Sequence, residues 1–264
     1  MEMSLFSNYY ESIIMGFISI FLFFFLLANP QDCSICLQPL ENKFSIDSWG
    51  NAFHTAHENE GIFCHSCSRI ISQGVTQGGY IYSDGRHLCS LCKITAVNAD
   101  SVIETSYQAV ITQFEKVGIL HIPMDIPIEL VNLQQLNNKA REMSHAKLKG
   151  FTIIDPIARK TNQLINPYNI SILFGLPKIE FEAVLAHELL HVWLHQNNIT
   201  LSSQSTEGFC NLGSYLIYNN DNTHFSNNHL QAMSNFNNTV YGEGYKKMKV
   251  QLEKLGWKKL ISNL

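Results

Sequence analysis

The spacing of apolar residues alternates along the chain between a helical period and shorter strand-like runs. Residues 133–147, 184–194 and 209–218 are predicted to be helices. The stretch 99–117 is the clearest helix, with six apolar side chains on one side: Val102, Ile103, Tyr107, Val110, Ile111 and Phe114.

Runs rich in β-branched residues stand before the most apolar helix. Residues 151–154 and 169–174 are predicted to be strands, and 119–131, which contains two prolines, predicts an irregular segment or an edge strand. The asparagine-rich stretch 219–238 predicts a long polar loop near a cleft. A sheet followed by helices indicates an α+β fold.

The most apolar helix carries the motif H-E-x-x-H at residues 187–191. His187 and His191 lie one turn apart on one helix face, so both imidazoles can reach a single ion. Glu188 stands beside the first histidine, where a carboxylate can take a proton from a metal-activated water. This pattern is typical of zinc peptidases.

A catalytic zinc needs a third protein ligand. The longer metzincin motif is excluded because Leu194 and Asn197 occupy the positions of its glycine and third histidine. His195 continues the face, but three turns of one helix do not converge on one ion. The better candidate is Glu207, which follows a polar stretch and precedes the helix 209–218. Its alternative role is that of an acidic residue in a first helical turn.

Six of the seven cysteines form three C-x-x-C pairs, a spacing that presents two thiolates to one tetrahedral zinc. Two histidines bring the ligands to eight, enough for two structural zinc ions, with disulfides as the alternative. The predicted ligands are Cys33, Cys36, His54 and His57 in a first site, and Cys64, Cys67, Cys89 and Cys92 in a second.

The order and spacing of these ligands resemble a LIM domain. Seventeen residues separate Cys36 from His54, and twenty-one separate Cys67 from Cys89. The stretch 80–89 resembles the last hairpin of such a module. His57 departs from the pattern, since LIM domains usually carry cysteine there, and six residues rather than two precede Cys64.

A LIM-like module followed by H-E-x-x-H resembles the DA-type LIM peptidases, which are ubiquitin-activated regulators of plant organ size, and their shorter bacterial relatives. The resemblance extends over residues 31–250. It rests on the cysteines and on four further segments: 173–177, 186–194, 207–210 and 241–245. It implies a zincin-like metallopeptidase domain of gluzincin type. A hydrophobic segment stands where the plant proteins have ubiquitin-interacting helices, so activation by ubiquitin is not carried over.

That hydrophobic segment, residues 13–28, would rise about 24 Å as a helix, slightly less than a bilayer core. It predicts a signal peptide or a short membrane anchor. The acidic Glu2 and Glu11 replace the basic flank of a usual signal peptide, which favours the anchor. The domain is then membrane-anchored or, if the segment is cleaved, secreted.

Three regions follow from these patterns: a signal or anchor at 1–30, a LIM-like zinc module at 31–97 and a zincin-like domain at 98–264. A net charge of −4 gives no indication of nucleic-acid binding. The leading hypothesis is a zinc peptidase that acts on proteins or peptides, with the LIM-like module recognising protein partners. The alternative is a non-catalytic adaptor on a zincin-like scaffold.

The proposed chemistry needs one catalytic zinc, Glu188 as general base and a donor for the oxyanion. Tyr241 is the first candidate for that donor because it lies in the family-like segment 241–245. His224 and His229 are the other candidates.

Overall fold

The computed structural model describes residues 32–40, 43–58, 61–140, 148–155 and 166–264. The predicted signal or anchor, 13–28, lies outside these ranges. Within them, no helix combines the length and apolar character needed to cross a bilayer.

The N-terminal part consists of two small zinc-finger-like halves. In the first, β1 (Phe44–Ile46) pairs antiparallel with β2 (Ala52–His54), and a 3₁₀ turn follows at Thr55–Glu58. In the second, β3 (Gly79–Ile81) pairs antiparallel with β4 (His87–Cys89), flanked by the short helices α1 (Gln73–Thr76) and α2 (Ser90–Lys93). Each half therefore offers a hairpin and a cysteine knuckle.

The larger part contains the principal helices and three strands, β5 (Ile128–Val131), β6 (Gly150–Ile154) and β7 (Tyr168–Leu173). They form a sheet of order β5-β7-β6. β5 runs parallel to the central β7, and β6 runs antiparallel to it at the other edge of the described sheet. The helices are α3 (Asp100–Val117), α4 (Leu133–Ala140), α5 (Lys178–Gln196), α6 (Ser203–Asp221), α7 (His224–Asn235) and α8 (Tyr241–Ser262).

The α5 helix is the centre of the core because it is apolar on nearly every side. Twelve of its nineteen residues are buried. Helix α6, helix α3 and the strands β6 and β7 pack around it. A helix that is apolar all round must be covered on all sides, so this arrangement follows from its sequence.

The predicted α+β class is confirmed, and the predicted strands agree with β6 and β7 to within a residue. The last seven residues of the predicted helix 133–147 lie outside the described ranges. The predicted loop 219–238 is wrong: α6 continues to Asp221, and α7 occupies most of the remainder. Phe225, Leu230 and Met233 pack against the core, and this packing outweighs the weak helix propensity of asparagine.

The two parts are joined closely. Backbone hydrogen bonds link Val97 to both Gly175 and Leu176, and the N–H of Lys178 donates to the carbonyl of Thr95. The chain just before α5 is therefore fixed to the end of the zinc module.

Candidate functional site

The helices α5 and α6 bring the three predicted ligands of the catalytic metal together. The Nε2 atoms of His187 and His191 lie 3.1 Å apart. Glu207 places one carboxylate oxygen 3.3 Å from the first of these atoms and the other 3.7 Å from the second. Two imidazoles and one carboxylate at such distances form a donor set that fits zinc.

Two glycines let α6 approach close enough to deliver Glu207. A Cβ at Gly213 would lie 2.7 Å from the carbonyl oxygen of Ala186 on α5. On the other side of α6, a Cβ at Gly208 would collide with the backbone of Gly244 on α8. Residues 208–213 of α6 are thus held between two helices at backbone contact distance.

Helix α6 also begins earlier than its apolar residues predict. Ser202 caps it, accepting a hydrogen bond from the N–H of Ser205 at 3.2 Å. Glu207 therefore lies inside the helix, and the turn after it carries Asn211. The Oδ1 atom of Asn211 lies 3.1 Å from Nδ1 of His187. If Nδ1 of His187 carries the proton, Nε2 stays available to a metal.

The charges at this centre perturb one another. Burial lowers the pKa of His187, but Glu207 and Glu188 outweigh that effect and hold the pKa above its usual value. Burial raises the pKa of Glu207, but His187 and His191 hold it below its usual value. Such coupling is common where side chains are arranged for chemistry or metal binding.

Glu188 is almost fully buried beside the ligands, and burial raises the pKa of its carboxyl group. The hydroxyl of Thr152 on β6 donates to Oε2 of Glu188 at 2.7 Å. A carboxylate with a raised pKa is suited to accept a proton and release it again.

Tyr241 begins α8 next to this centre. Its backbone carbonyl accepts a hydrogen bond from Nδ2 of Asn211 at 3.5 Å. Burial, together with the charges of Glu207 and Glu188, raises the pKa of its phenol to about 12. The phenol therefore keeps its proton at neutral pH and can act as a donor.

The other predicted donors lie elsewhere. The ring of His224 packs against Trp49 of the zinc module, with ring centroids 4.5 Å apart. His229 stacks on Tyr218 at 4.9 Å, and burial lowers its pKa to about 4. Helix α7 therefore turns both rings towards the zinc module and α6, and the structure does not bring either of them to the α5–α6 centre. The doubt about His195 as a ligand is supported, since its Nδ1 lies 2.9 Å from the hydroxyl of Tyr168.

The second cysteine site is compact and buried. Its four Sγ atoms lie within 4.8 Å of one another, and all four residues are buried: Cys64, Cys67, Cys89 and Cys92. All seven cysteines of the chain are free thiols in this structure, rather than disulfides. A hydrogen bond from Cys67 contributes most to lowering the pKa of Cys64 to about 6. The donor set fits a tetrahedral zinc.

The first site brings Cys33, Cys36, His54 and His57 together within the same 4.8 Å limit. Nε2 of His54 lies 3.1 Å from the carbonyl of Pro39, and its Nδ1 lies 3.4 Å from Sγ of Cys36. Donation from Nε2 to that carbonyl leaves Nδ1 for a metal. Cys36 is exposed, so this site is more open than the second.

Sequence reasoning missed Asn211 and Thr152. Asn211 carries a signal that spacing can provide, because it lies four residues after Glu207 and so on the same helix face. Thr152 carries none, because its contact depends on how β6 packs against α5.

Comparison with known proteins gives a consistent set of relatives. Residues 147–238, which include every ligand of the α5–α6 centre, match the family model described as DA1-like: Protein DA1. The chain is 27% identical to "Protein DA1-related 2" of Arabidopsis thaliana over 197 residues, covering 64% of this chain and 37% of that protein.

Two further relatives extend this comparison. The chain is 26% identical to "LIM domain-containing protein HDR3" of Oryza sativa subsp. japonica over 226 residues, covering 72% of this chain and 44% of the relative. It is 25% identical to "Protein DA1" of Arabidopsis thaliana over 193 residues, covering 61% of this chain and 35% of that protein. The chain thus spans less than half the length of these relatives. No solved structure matches it significantly.

Proposed function

We infer from these matches that the chain belongs to the DA-type LIM-domain family, and we propose that it is a zinc-dependent metallopeptidase that hydrolyses protein or peptide substrates. One observation carries the proposal: His187, His191 and Glu207 converge on one point beside the buried carboxylate of Glu188. Their arrangement on successive helices supports a zincin-like fold of gluzincin type.

The residues at this centre divide the reaction among them. His187, His191 and Glu207 would hold the zinc ion, which supplies Lewis acidity for the substrate carbonyl and acidifies a water molecule. Glu188 accepts the proton of the attacking water and delivers it to the nitrogen of the leaving amine. Tyr241 donates its phenol proton in a hydrogen bond to the developing oxyanion.

The remaining regions complete the proposal. The two cysteine-containing sites would hold two structural zinc ions, so we expect three zinc ions per chain. The LIM-like module recognises protein partners. The segment 13–28 attaches the protein to a membrane unless it is cleaved, in which case the protein is secreted.

The decisive test replaces Glu188 with glutamine. Because this change removes the base and keeps the ligands, we expect Glu188→Gln to lower hydrolysis of a fluorescent unfolded protein by at least about 100-fold. Zinc content, measured by elemental mass spectrometry, should stay at three per chain.

A matched control is Glu182→Gln. Glu182 is a buried glutamate on the same helix, and it forms an ion pair with Lys178, one helical turn earlier. This variant should keep near wild-type activity. Equal hydrolysis by the wild type and Glu188→Gln would contradict the proposed role of Glu188, and no hydrolysis by either protein would favour the adaptor alternative. The zinc module has exposed apolar side chains, among them Ile81 and Ile94, and these would then offer a binding surface for a partner.

A further inference from the structure

Two residues of the edge strand β6 face the proposed general base. Gly150 and Thr152 are two positions apart, so they lie on the same face of the strand. That face packs on α5: a Cβ at Gly150 would lie 2.7 Å from Oε1 of Glu188, and the hydroxyl of Thr152 lies 2.7 Å from Oε2. The carboxylate of Glu188 therefore lies across these two residues.

Gly150 is needed for space. The same added Cβ would also lie 2.6 Å from Cγ1 of Val184 on α5. Both distances are below normal contact, so any larger residue would separate β6 from α5 or push the carboxylate out of place. Only a residue without a side chain lets the strand backbone approach the base so closely.

Thr152 supplies the hydrogen bonds. Within the described part of the chain, the carboxylate of Glu188 receives hydrogen bonds from this residue alone, from its hydroxyl and its backbone. The hydroxyl has one proton and two acceptors nearby, Oε2 at 2.7 Å and the carbonyl oxygen of Glu188 at 3.2 Å, and the charged acceptor is the closer. Because threonine is β-branched, the strand itself limits the directions in which that hydroxyl can point.

We propose that Thr152, seated beside Gly150, is the positioning residue that holds the carboxylate of Glu188 in its reactive orientation. The inference rests on the proposed peptidase function, because it assigns Glu188 the role of base. In a buried site a carboxylate with one oxygen fixed can direct the other towards water, whereas an unfixed carboxylate spends time in unproductive rotamers.

The test compares Thr152→Val, which has nearly the same shape and no hydroxyl, with Thr152→Ser, which restores the hydroxyl. We expect Thr152→Val to lower kcat about 10-fold with KM within about 2-fold, because the loss concerns the chemical step. Thr152→Ser should recover most of kcat. The matched control is Ser171→Ala on β7, which removes a buried hydroxyl that has no hydrogen-bond partner among the described residues and should leave kcat unchanged.

A double variant shows whether Thr152 acts through Glu188. In the Glu188→Gln protein, adding Thr152→Val should cause no further loss of rate. A full 10-fold additional loss, a Thr152→Val protein with wild-type kcat, or failure of Thr152→Ser to recover it would each overturn the inference.

One readout needs no turnover and so separates this inference from the proposed function. The side-chain carboxyl ¹³C resonance of Glu188, assigned by its absence in Glu188→Gln, should shift in Thr152→Val and return towards wild type in Thr152→Ser. It should stay unchanged in Ser171→Ala. An unmoved resonance in Thr152→Val would overturn the inference even if the protein proves to have no peptidase activity.

Discussion

Asn211 contacts the metal centre without being one of its proposed ligands. Its side-chain oxygen lies 3.1 Å from Nδ1 of His187, and its nitrogen donates to the backbone of Tyr241. It thereby links the orientation of a ligand to the start of α8. A residue that hydrogen-bonds to a metal-binding histidine without binding the metal itself fixes the tautomer and the orientation of the ring.

Replacing Asn211 with leucine removes the acceptor and leaves His187 free to rotate. We expect Asn211→Leu to weaken zinc binding at this centre by about 10- to 100-fold, measured by competition with a fluorescent chelator. Asn211→Asp keeps an acceptor at the same place and should bind zinc near the wild-type level. Asn219→Leu, an exposed position on the same helix, controls for the added apolar side chain. Wild-type affinity in Asn211→Leu would refute this role.

The single residues differ in how far sequence could reveal them. The positions of His187, Glu188 and His191 are fixed by helical geometry alone, so spacing predicts their convergence. Glu207 requires a second helix to fold back, which the polar stretch before it suggested. Contacts such as that of Thr152 with Glu188 depend on the distance between a strand and a helix, and no local pattern in one chain encodes that distance.

At the scale of elements, the centre depends on how closely α6 lies between α5 and α8. Gly208 on α6 and Gly244 on α8 approach each other through their backbones, and a Cβ on either would meet backbone atoms of the other helix. Glycine lowers helix propensity, so a reading of the sequence alone takes these glycines as evidence against a helix at their positions. The apolar spacing predicted that a helix is present at 209–218, but the points where α6 crosses its neighbours became visible only in the structure.

Gly208→Ala tests the importance of this crossing. The added methyl group must displace the backbone of α8, because a main chain gives way less easily than a side chain, and we expect a loss of about 1–3 kcal/mol in the free energy of unfolding. Urea denaturation measures this loss. Gly74→Ala, in a short helix where an added Cβ meets nothing within 4 Å, should be neutral or slightly stabilising. Equal stability of the two variants would mean that α6 and α8 adjust freely.

At the scale of the whole molecule, a buried ion pair in the zinc module contacts the larger domain. Arg86 and Asp84 in the β3–β4 hairpin lie 2.8 Å apart, each with a side chain only 4% exposed. Arg86 donates to the carbonyl of Phe174 at 3.0 Å, and Asp84 accepts the N–H of Leu133, which begins α4. Burial raises the pKa of Asp84, but the N–H of Leu133 and Arg86 outweigh that effect and keep the pKa below its usual value.

The spacing of the cysteines and histidines predicted a boundary at residue 97, with the LIM-like module as a separate recognition unit. Short hairpins occupy residues 44–89, and the longer helices and the three-stranded sheet lie in residues 100–262. Their interface could not be predicted, because the residues 80–89 match a LIM-type hairpin whether or not a second domain packs on it. In the structure the hairpin lies directly against Phe174 and Gly175, three to four residues before α5 begins.

Removing Arg86 should therefore affect the metal centre as well as the module. Arg86→Gln leaves Asp84 buried without its cation, and breaking a buried pair in this way costs about 3–5 kcal/mol. We expect faster hydrogen exchange in residues 173–181 and a lower zinc occupancy at His187 and His191. Arg69→Gln is the matched control, because its guanidinium stacks on Trp49 at 3.4 Å within the module, a contact worth about 1 kcal/mol. Unchanged exchange in residues 173–181 of Arg86→Gln would show instead that the larger domain holds its metal helix without support from the zinc module.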